Sequence, residues 1–266
     1  MKKILFNLAI LIGSISWLAF NSPTEFQEFG MKAENNAFKS DELLKYRIHY
    51  GFVNAAVVKM SVSKPIKINN QEAYNLKIEG STVKSFSWLF NVRDKFESWV
   101  DAKSFTPLRY AKTVREDDYF NQDVAIYNYK DKWLKNKEGK IDITDKTMDI
   151  AAAIYYLRNW DYNNKKVGDK FPLDIYLDNK IHNLSVTYAG EETLKTDVGK
   201  IKCIKLKPQL VVDRVFKDED AMTVWVTNDK NHIPVRIQTD IHVGSLKVDL
   251  MEYQNLRNPF NSLIKK

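Results

Sequence analysis

Hydrophobic and polar residues alternate along most of this chain. In "LKYRIHYGF", Tyr46, Ile48, Tyr50 and Phe52 alternate with Lys45, Arg47 and His49. A period of two predicts a half-buried strand. "AAVVKMSVSK" continues it through Val58, Met60 and Val62, and "EAYNLKIEG" through Tyr74, Leu76 and Ile78. Asn69-Asn70 between those two predicts a hairpin turn. The alternation returns in "DKFESWVD", "PLRYAKTVRE" and "YFNQDVAIYNYK", and again from Phe171 to Tyr253. A dozen or more strands at roughly 8–12-residue spacing predict an antiparallel sandwich or barrel. Strands do not alternate with helices, which argues against a parallel α/β sheet. A meander that closes partly or fully on itself avoids long exposed edges.

Two stretches break the alternation. "TMDIAAAIYYLRNW" predicts a single helix over 147–160, with Thr147 as N-cap, Asp149 in the first turn and Arg158 in the last. Ile150, Ile154 and Leu157 follow the i, i+4, i+7 spacing of one face, and Ala151, Ala152, Tyr155 and Tyr156 cover much of the rest. A helix apolar on most sides must be covered on most sides, and the concave side of a curved sheet does this. Either the helix plugs the core, or it shares the concavity with an apolar ligand. The second break, "SFSWLFNV", packs Phe86, Trp88, Leu89 and Phe90 into five residues. It reads as a cap on the core or as an apolar lip at a pocket mouth. The candidate ligand-binding residues are therefore Phe86, Trp88, Leu89, Phe90, Ile150, Ile154, Tyr155 and Leu157.

The N-terminus changes the picture most. "MKK" precedes an apolar run from Ile4 to Phe20, and polar "NSPTEF" follows. This is the layout of a secretory signal peptide, with an uncleaved anchor as the alternative. Residues 1–22 are read as this segment, 23–42 as a linker, 43–256 as one β-rich domain and 257–266 as a tail. The net charge of +7 comes from Lys spread along alternating strands, as in "KIKCIKLK", rather than from a dense basic run. Such Lys form a solvated sheet face and protect edges. Aromatic and basic residues interleave in "YFNQDVAIYNYK", but export argues against a nucleic-acid partner. One cysteine forms no internal disulfide, and Cys203 reads as a core thiol.

No catalytic motif emerges. His49, His182, His232 and His242 lack the local spacing of a zinc site. There is no G-x-S-x-G and no phosphate-cradling glycine loop. Asp117-Asp118 and Asp218-Glu219-Asp220 fall in predicted turns and lack the spacing of a calcium loop. They read as solvated loop charges, and a hydrolase using Asp118 or Asp220 is the remote alternative. No catalytic residue, metal or cofactor is assigned.

Four phrases stand together in order: "YRIHYGFVNAAVVKMSV", "NVRDKFESWVD" followed by "PLRYAKTVRE", "DIAAAIYYLRN", and "VWVTNDKNHIPVRIQTDIHVGSLKVDLMEY". They resemble the domain-of-unknown-function family 3108, exported bacterial envelope proteins, over about residues 43–256. The family's central phrase resembles D-x-L-S-A-L-Y-Y-L-R. Asp149, Ala153, Tyr155, Tyr156, Leu157 and Arg158 stand in it, while Ile150-Ala151-Ala152 departs from it. The resemblance carries no catalytic residues. It implies an architecture similar to the LolA/LolB-type periplasmic lipoprotein carriers: a large curved antiparallel sheet, a half-open barrel, with helix in its concavity. Those carriers use more than one covering helix, and this chain predicts one.

The expectation is thus an exported, non-enzymatic envelope protein of a Gram-negative bacterium, periplasmic or tethered by its N-terminus. It would bind a lipid, a lipoprotein or another apolar molecule. The alternative is a solid-cored assembly partner of other envelope proteins.

Overall fold

The structure is a computed structural model that describes residues 34–68, 71–209, 221–240 and 244–265. The expected signal segment, the Asn69-Asn70 turn, the acidic run Asp218 to Asp220 and His242 lie outside the described residues.

The alternating segments form one long, curved sheet. At its centre, β1 (Leu43–Tyr50) pairs with β2 (Val53–Val62) on one side and β16 (Ser245–Gln254) on the other. From β2 the sheet continues through β4 (Gln71–Thr82), β5 (Arg93–Asp101), β6 (Pro107–Glu116) and β7 (Tyr119–Asn128). It ends there in β8 (Trp133–Asn136) and β9 (Gly139–Asp142). From β16 it runs through β15 (Pro234–Asp240), β14 (Met222–Thr227), β13 (Gly199–Pro208) and β12 (Lys180–Thr196). It ends in β11 (Lys170–Leu177) and a two-residue β10 (Thr147–Met148). Two short strands add to its margins: β3 (Ile66–Ile68) on β4, and β17 (Leu263–Lys265) on β13. All pairs are antiparallel except β10 with β11.

Among the described residues no backbone ladder joins β9 to β10, so this is a half-open barrel. Side chains bridge the gap instead. The Tyr176 hydroxyl on β11 donates to Asp123 on β7 at 2.7 Å, and Asn136 Nδ2 on β8 donates to the Tyr176 oxygen at 2.9 Å. Lys112 on β6 is paired with Asp178, and Tyr110 meets Tyr176 edge-to-face at 5.7 Å. The bonds join side chains, so the two margins meet without sharing a strand ladder.

The period of two holds in three dimensions. Leu44 and Tyr46, Met60 and Val62, Leu76, Leu250, Ile204 and Leu206 are buried in one central core on the concave face. Cys203 lies on the opposite face, buried among Leu194, Ile201, Trp225 and Val235.

The helix α1 (Ile150–Arg158) is shorter than the sequence predicts. Its N-cap is Asp149, whose carboxylate accepts from the Ala152 amide at 3.0 Å. Thr147 is not the cap because Thr147 and Met148 are held in the pairing with Asp174 and Ile175. Residues on both sides of 43–256 also take part in the fold. Ala37, Phe38 and Glu42, in the segment read as linker, are buried, with Phe38 packed edge-to-face on Tyr155 at 5.0 Å. Leu263 to Lys265, in the segment read as tail, pair with β13.

Candidate functional site

The helix is fastened at both ends by buried charges. At its start, Ser98 Oγ on β5 donates to Asp149 Oδ2 at 2.6 Å, and the Tyr127 hydroxyl on β7 stands 3.5 Å from the same oxygen. Burial pushes the Asp149 carboxyl up to about 6, against the opposing effect of the Ser98 and amide hydrogen bonds. At its end, Arg158 Nη1 and Nη2 donate to the two oxygens of Glu42 at 2.6 and 2.9 Å. Arg158 Nε donates to the Asn231 carbonyl at 3.0 Å and Nη2 to the Ala37 carbonyl at 3.3 Å. Arg158 is 1% exposed and Glu42 likewise. Burial alone would lower the Arg158 pKa, but the Glu42 charge and hydrogen bonds outweigh it and raise it. Such a fork-to-fork pair is the geometry that makes a buried charge tolerable.

These anchors lay the helix across one end of the concavity, the base of the half-barrel. They also decide which face is sealed. Ala151, Ala152, Ala153, Tyr155 and Tyr156 are buried, with Tyr155 fully so and its hydroxyl unpartnered. The stripe Ile150, Ile154 and Leu157 is only half-buried. The sequence spacing puts the three on one face, and that face is the less covered one. The small Ala151 and Ala152 let the helix approach the sheet closely, while the branched side chains stay partly exposed.

Other inner-face residues share that intermediate burial. Val58 alternates with buried Met60, Ile78 with Leu76, Val224 with Val226, and Val248 with Leu250. All of them pack against the same core as the helix stripe. The helix is thus fully covered on its Ala151, Ala152 and Tyr155 side and only partly covered along Ile150, Ile154 and Leu157. The partly covered side chains Ile78, Val58, Val224 and Val248 are, like the helix stripe, aliphatic.

The remaining sequence candidates lie elsewhere. Phe86, Trp88 and Leu89 sit in a run of turns between β4 and β5, at the end of the sheet away from the base. Phe90 is buried at 7% and Trp88 is 81% exposed. Phe90 belongs to none of the core clusters that contain the helix. The structure thus groups Ile150, Ile154 and Leu157, puts Tyr155 behind them, and separates all four from the 86–90 segment. Val58, Val224 and Val248 carry no signal of their partial exposure in the sequence, because nothing in a strand's alternation says how fully its inner face is covered.

A groove of about 620 Å3 at the base is of a different kind. Asn36, Asn159, Lys230, His232 and Asn258 line it. Several of these side chains hold the chain ends together. Asn159 Oδ1 accepts from the amides of Asn36 and Ala37, and Asn258 Nδ2 donates to the carbonyls of Asn36 and Lys230. His232 Nδ1 lies 2.8 Å from the Arg158 carbonyl, and burial holds its pKa below the usual value. This groove is a clasp between the start of the domain, the β14–β15 loop and the C-terminal segment.

No group of three His, Cys, Asp or Glu among the described residues has the geometry to hold a metal ion. No helix among them is long and apolar enough to cross a membrane.

A family model described as "Protein of unknown function (DUF3108)" matches residues 45–251. Comparison with curated proteins finds no match. Among solved structures, a β-barrel-like protein of domain of unknown function DUF1849 from Brucella abortus is similar, with a TM-score of 0.56 at 10% identity. The match covers 82% of this chain and 99% of that one. A protein of YmcC-like fold from Bacteroides fragilis matches at TM-score 0.39 and 10% identity, over 84% of this chain and 99% of that one. Only the first is close enough to bear on the fold, and it agrees with the barrel-like architecture.

Proposed function

This chain belongs to the DUF3108 family of proteins of unknown function, and from its geometry we propose that it is a non-enzymatic protein of the bacterial cell envelope that holds an apolar ligand inside its half-open barrel. One observation carries the reading. Ile150, Ile154 and Leu157 lie on the concave side of the sheet yet stay half-buried, while the opposite helix faces are sealed. A helix whose only task was to plug the core would turn its bulkiest aliphatic stripe into the densest packing. Here that stripe stays only partly covered, as do Val58, Val224 and Val248 around the same core, and all of these side chains are aliphatic. A lipid acyl chain, free or carried on a lipoprotein, matches them in chemistry. The N-terminal "MKK" and apolar run support export, and an envelope location would give access to such ligands.

The test is extraction of the purified protein with organic solvent, followed by lipid analysis. Wild type is expected to carry acyl lipid in a defined ratio to protein. The double substitution Ile154→Gln, Val248→Thr keeps side-chain length or shape and the local propensities. It should lower the retained lipid severalfold while the circular dichroism stays unchanged. Equal lipid in both proteins, or none in wild type, contradicts the reading and favours the solid-cored assembly partner.

A further inference from the structure

Among the described residues, one buried carboxylate has no partner at all. Glu116, at the end of β6, is 3% exposed, and neither of its carboxylate oxygens has a hydrogen-bond partner. Glu42, Asp101, Asp123, Asp149 and Asp249, the other buried acids, each hold at least one. A buried charge is tolerated where it is paired, hydrogen-bonded or bound to a metal ion.

The neighbours of Glu116 add to the imbalance. Val92 bridges to Glu116 and Lys95 pairs with Thr113, so Asp94 on β5 lies between these pairs, beside Glu116 on the concave face. Asp94 Oδ1 accepts from the Arg115 amide at 3.1 Å, which brings this carboxylate to the residue next to Glu116 and leaves its second oxygen unbonded. The cations nearby are engaged elsewhere. Lys112, on the same face of β6, is paired with Asp178. Lys95, Arg93 and Arg115 project from the opposite, convex face, where Lys95 meets Glu97 at 2.8 Å and Arg115 lies over the Phe120 ring at 5.2 Å. The charges that act on Glu116 are those of Asp94 and Asp117, both of its own sign.

The facing strand leaves space beside this pair. Gly80 on β4 opposes Asp94, and the pairing of β4 there is regular on both sides. A Cβ at Gly80 would meet Val58 Cγ2 at 4.0 Å, an ordinary contact, and the residue is not in the left-handed region. Neither packing nor backbone conformation requires a glycine at this position. It leaves a gap on the concave face directly beside Asp94.

We propose that Glu116 and Asp94 bind a hydrated divalent cation of the hard, oxygen-seeking class, Mg2+ or Ca2+. Glu116 supplies two oxygens and Asp94 one, with no sulfur or imidazole among the donors, which is the set such ions select. Mg2+ in particular is held by one or two carboxylates and keeps several waters. Water completes the shell from the side of Gly80, so no third carboxylate is needed. Asp117, which accepts from the Asn91 amide at 2.8 Å, adds charge without joining the set. The site uses none of the helix stripe, so it stands whether or not the interior holds a ligand.

The experiment uses the full chain, freed of metal with a chelator, at about pH 8. Tm is followed as MgCl2 or CaCl2 is added, against NaCl of matched ionic strength, and equilibrium dialysis counts the bound ion. Wild type is expected to gain a few degrees by about 10 mM of one of the two salts and to hold one ion per chain. Glu116→Gln keeps the shape and removes the charge; it should fold without metal and lose the gain. Asp94→Asn, at a half-buried position, should weaken binding severalfold. No gain beyond NaCl, as a carboxyl that merely holds a proton would give, overturns the proposal. An equal gain in Glu116→Gln places the ion elsewhere and overturns it as well.

Discussion

Replacing Glu42 by Ala should destabilise the protein severely. The Arg158 guanidinium would remain 1% exposed, with only the Asn231 and Ala37 carbonyls as partners. Removing one member of a buried pair costs about 3–5 kcal/mol, because the other charge is left uncompensated. For a domain of this size that lowers Tm by about 6–20 °C. Replacing both charges by apolar residues, Glu42→Leu with Arg158→Met, should recover most of the loss, since no charge then stays buried. Thermal unfolding of the three proteins checks this. A Glu42→Ala variant within about 1 kcal/mol of wild type, the range of an exposed pair, would show that the pair does not hold the helix.

The second large effect is at the other end of the helix. At pH 5, Asp149→Ala should lower stability by about 2–3 kcal/mol, from a lost N-cap and an orphaned Ser98 hydroxyl. Asp149→Asn should be nearly neutral there, because an amide keeps the acceptor for the Ala152 N–H. The two differ further with pH. Burial raises the folded-state pKa of Asp149 to about 6, of Asp94 to about 6, and of Glu116 to about 7, the last also through Asp94 and Asp117. A carboxyl that binds its proton more tightly folded than unfolded stabilises the fold at low pH. That stability is lost as pH rises through the folded-state pKa. Tm should therefore fall between about pH 4 and pH 7. Asp249 acts in the opposite sense. Burial would raise it, but bonds from Arg236 and His49 outweigh burial and hold it below the usual range, so its contribution is lost in stronger acid. Asp149→Asn should flatten the fall above pH 4, and a slope unchanged by Asp149→Asn would remove this residue from the account.

These two anchors explain what the sequence could and could not reveal. The period of two was enough to place the strands, because burial on one face is a local constraint that each strand carries by itself. The helix was visible as a break in that period. Its orientation was not. Ile150, Ile154 and Leu157 are the most hydrophobic stripe, yet the positions of Asp149 and Arg158 set the rotation of the helix. Their partners Ser98 and Glu42 lie 51 and 116 residues away in the chain. Glu42 was hidden in a polar segment that reads as a linker, and Arg158 reads as an ordinary charge at a helix end. The two charged positions of the phrase that resembles the family pattern are thus the two fastenings of the helix.

The partial covering of the proposed lining is only partly legible for the same reason. Ile150, Ile154 and Leu157 could be named from spacing, but Val58, Val224 and Val248 could not, since each belongs to a strand that looks like every other. Tyr155 lies on the covered side of the helix, packed on Phe38. The 86–90 segment was named for its apolar density. Three-dimensional placement divides it into a buried Phe90 and an outward Trp88 on a separate rim. The seam of Lys112, Asp123, Asn136 and Tyr176 had no signal at all, because four polar residues on alternating strands look like solvent-facing positions. They close the barrel with side chains, over a buried cluster that includes Tyr110, Tyr127, Leu134 and Tyr176.

The central claim is that the interior beside Ile150, Ile154 and Leu157 holds an apolar molecule. Native mass spectrometry of the protein purified from its own cell envelope tests it most directly. The account predicts a second species heavier than the polypeptide by the mass of one acyl lipid, which disappears on mild activation. A single species at the polypeptide mass, under conditions that preserve a known lipid carrier's complex, would contradict it.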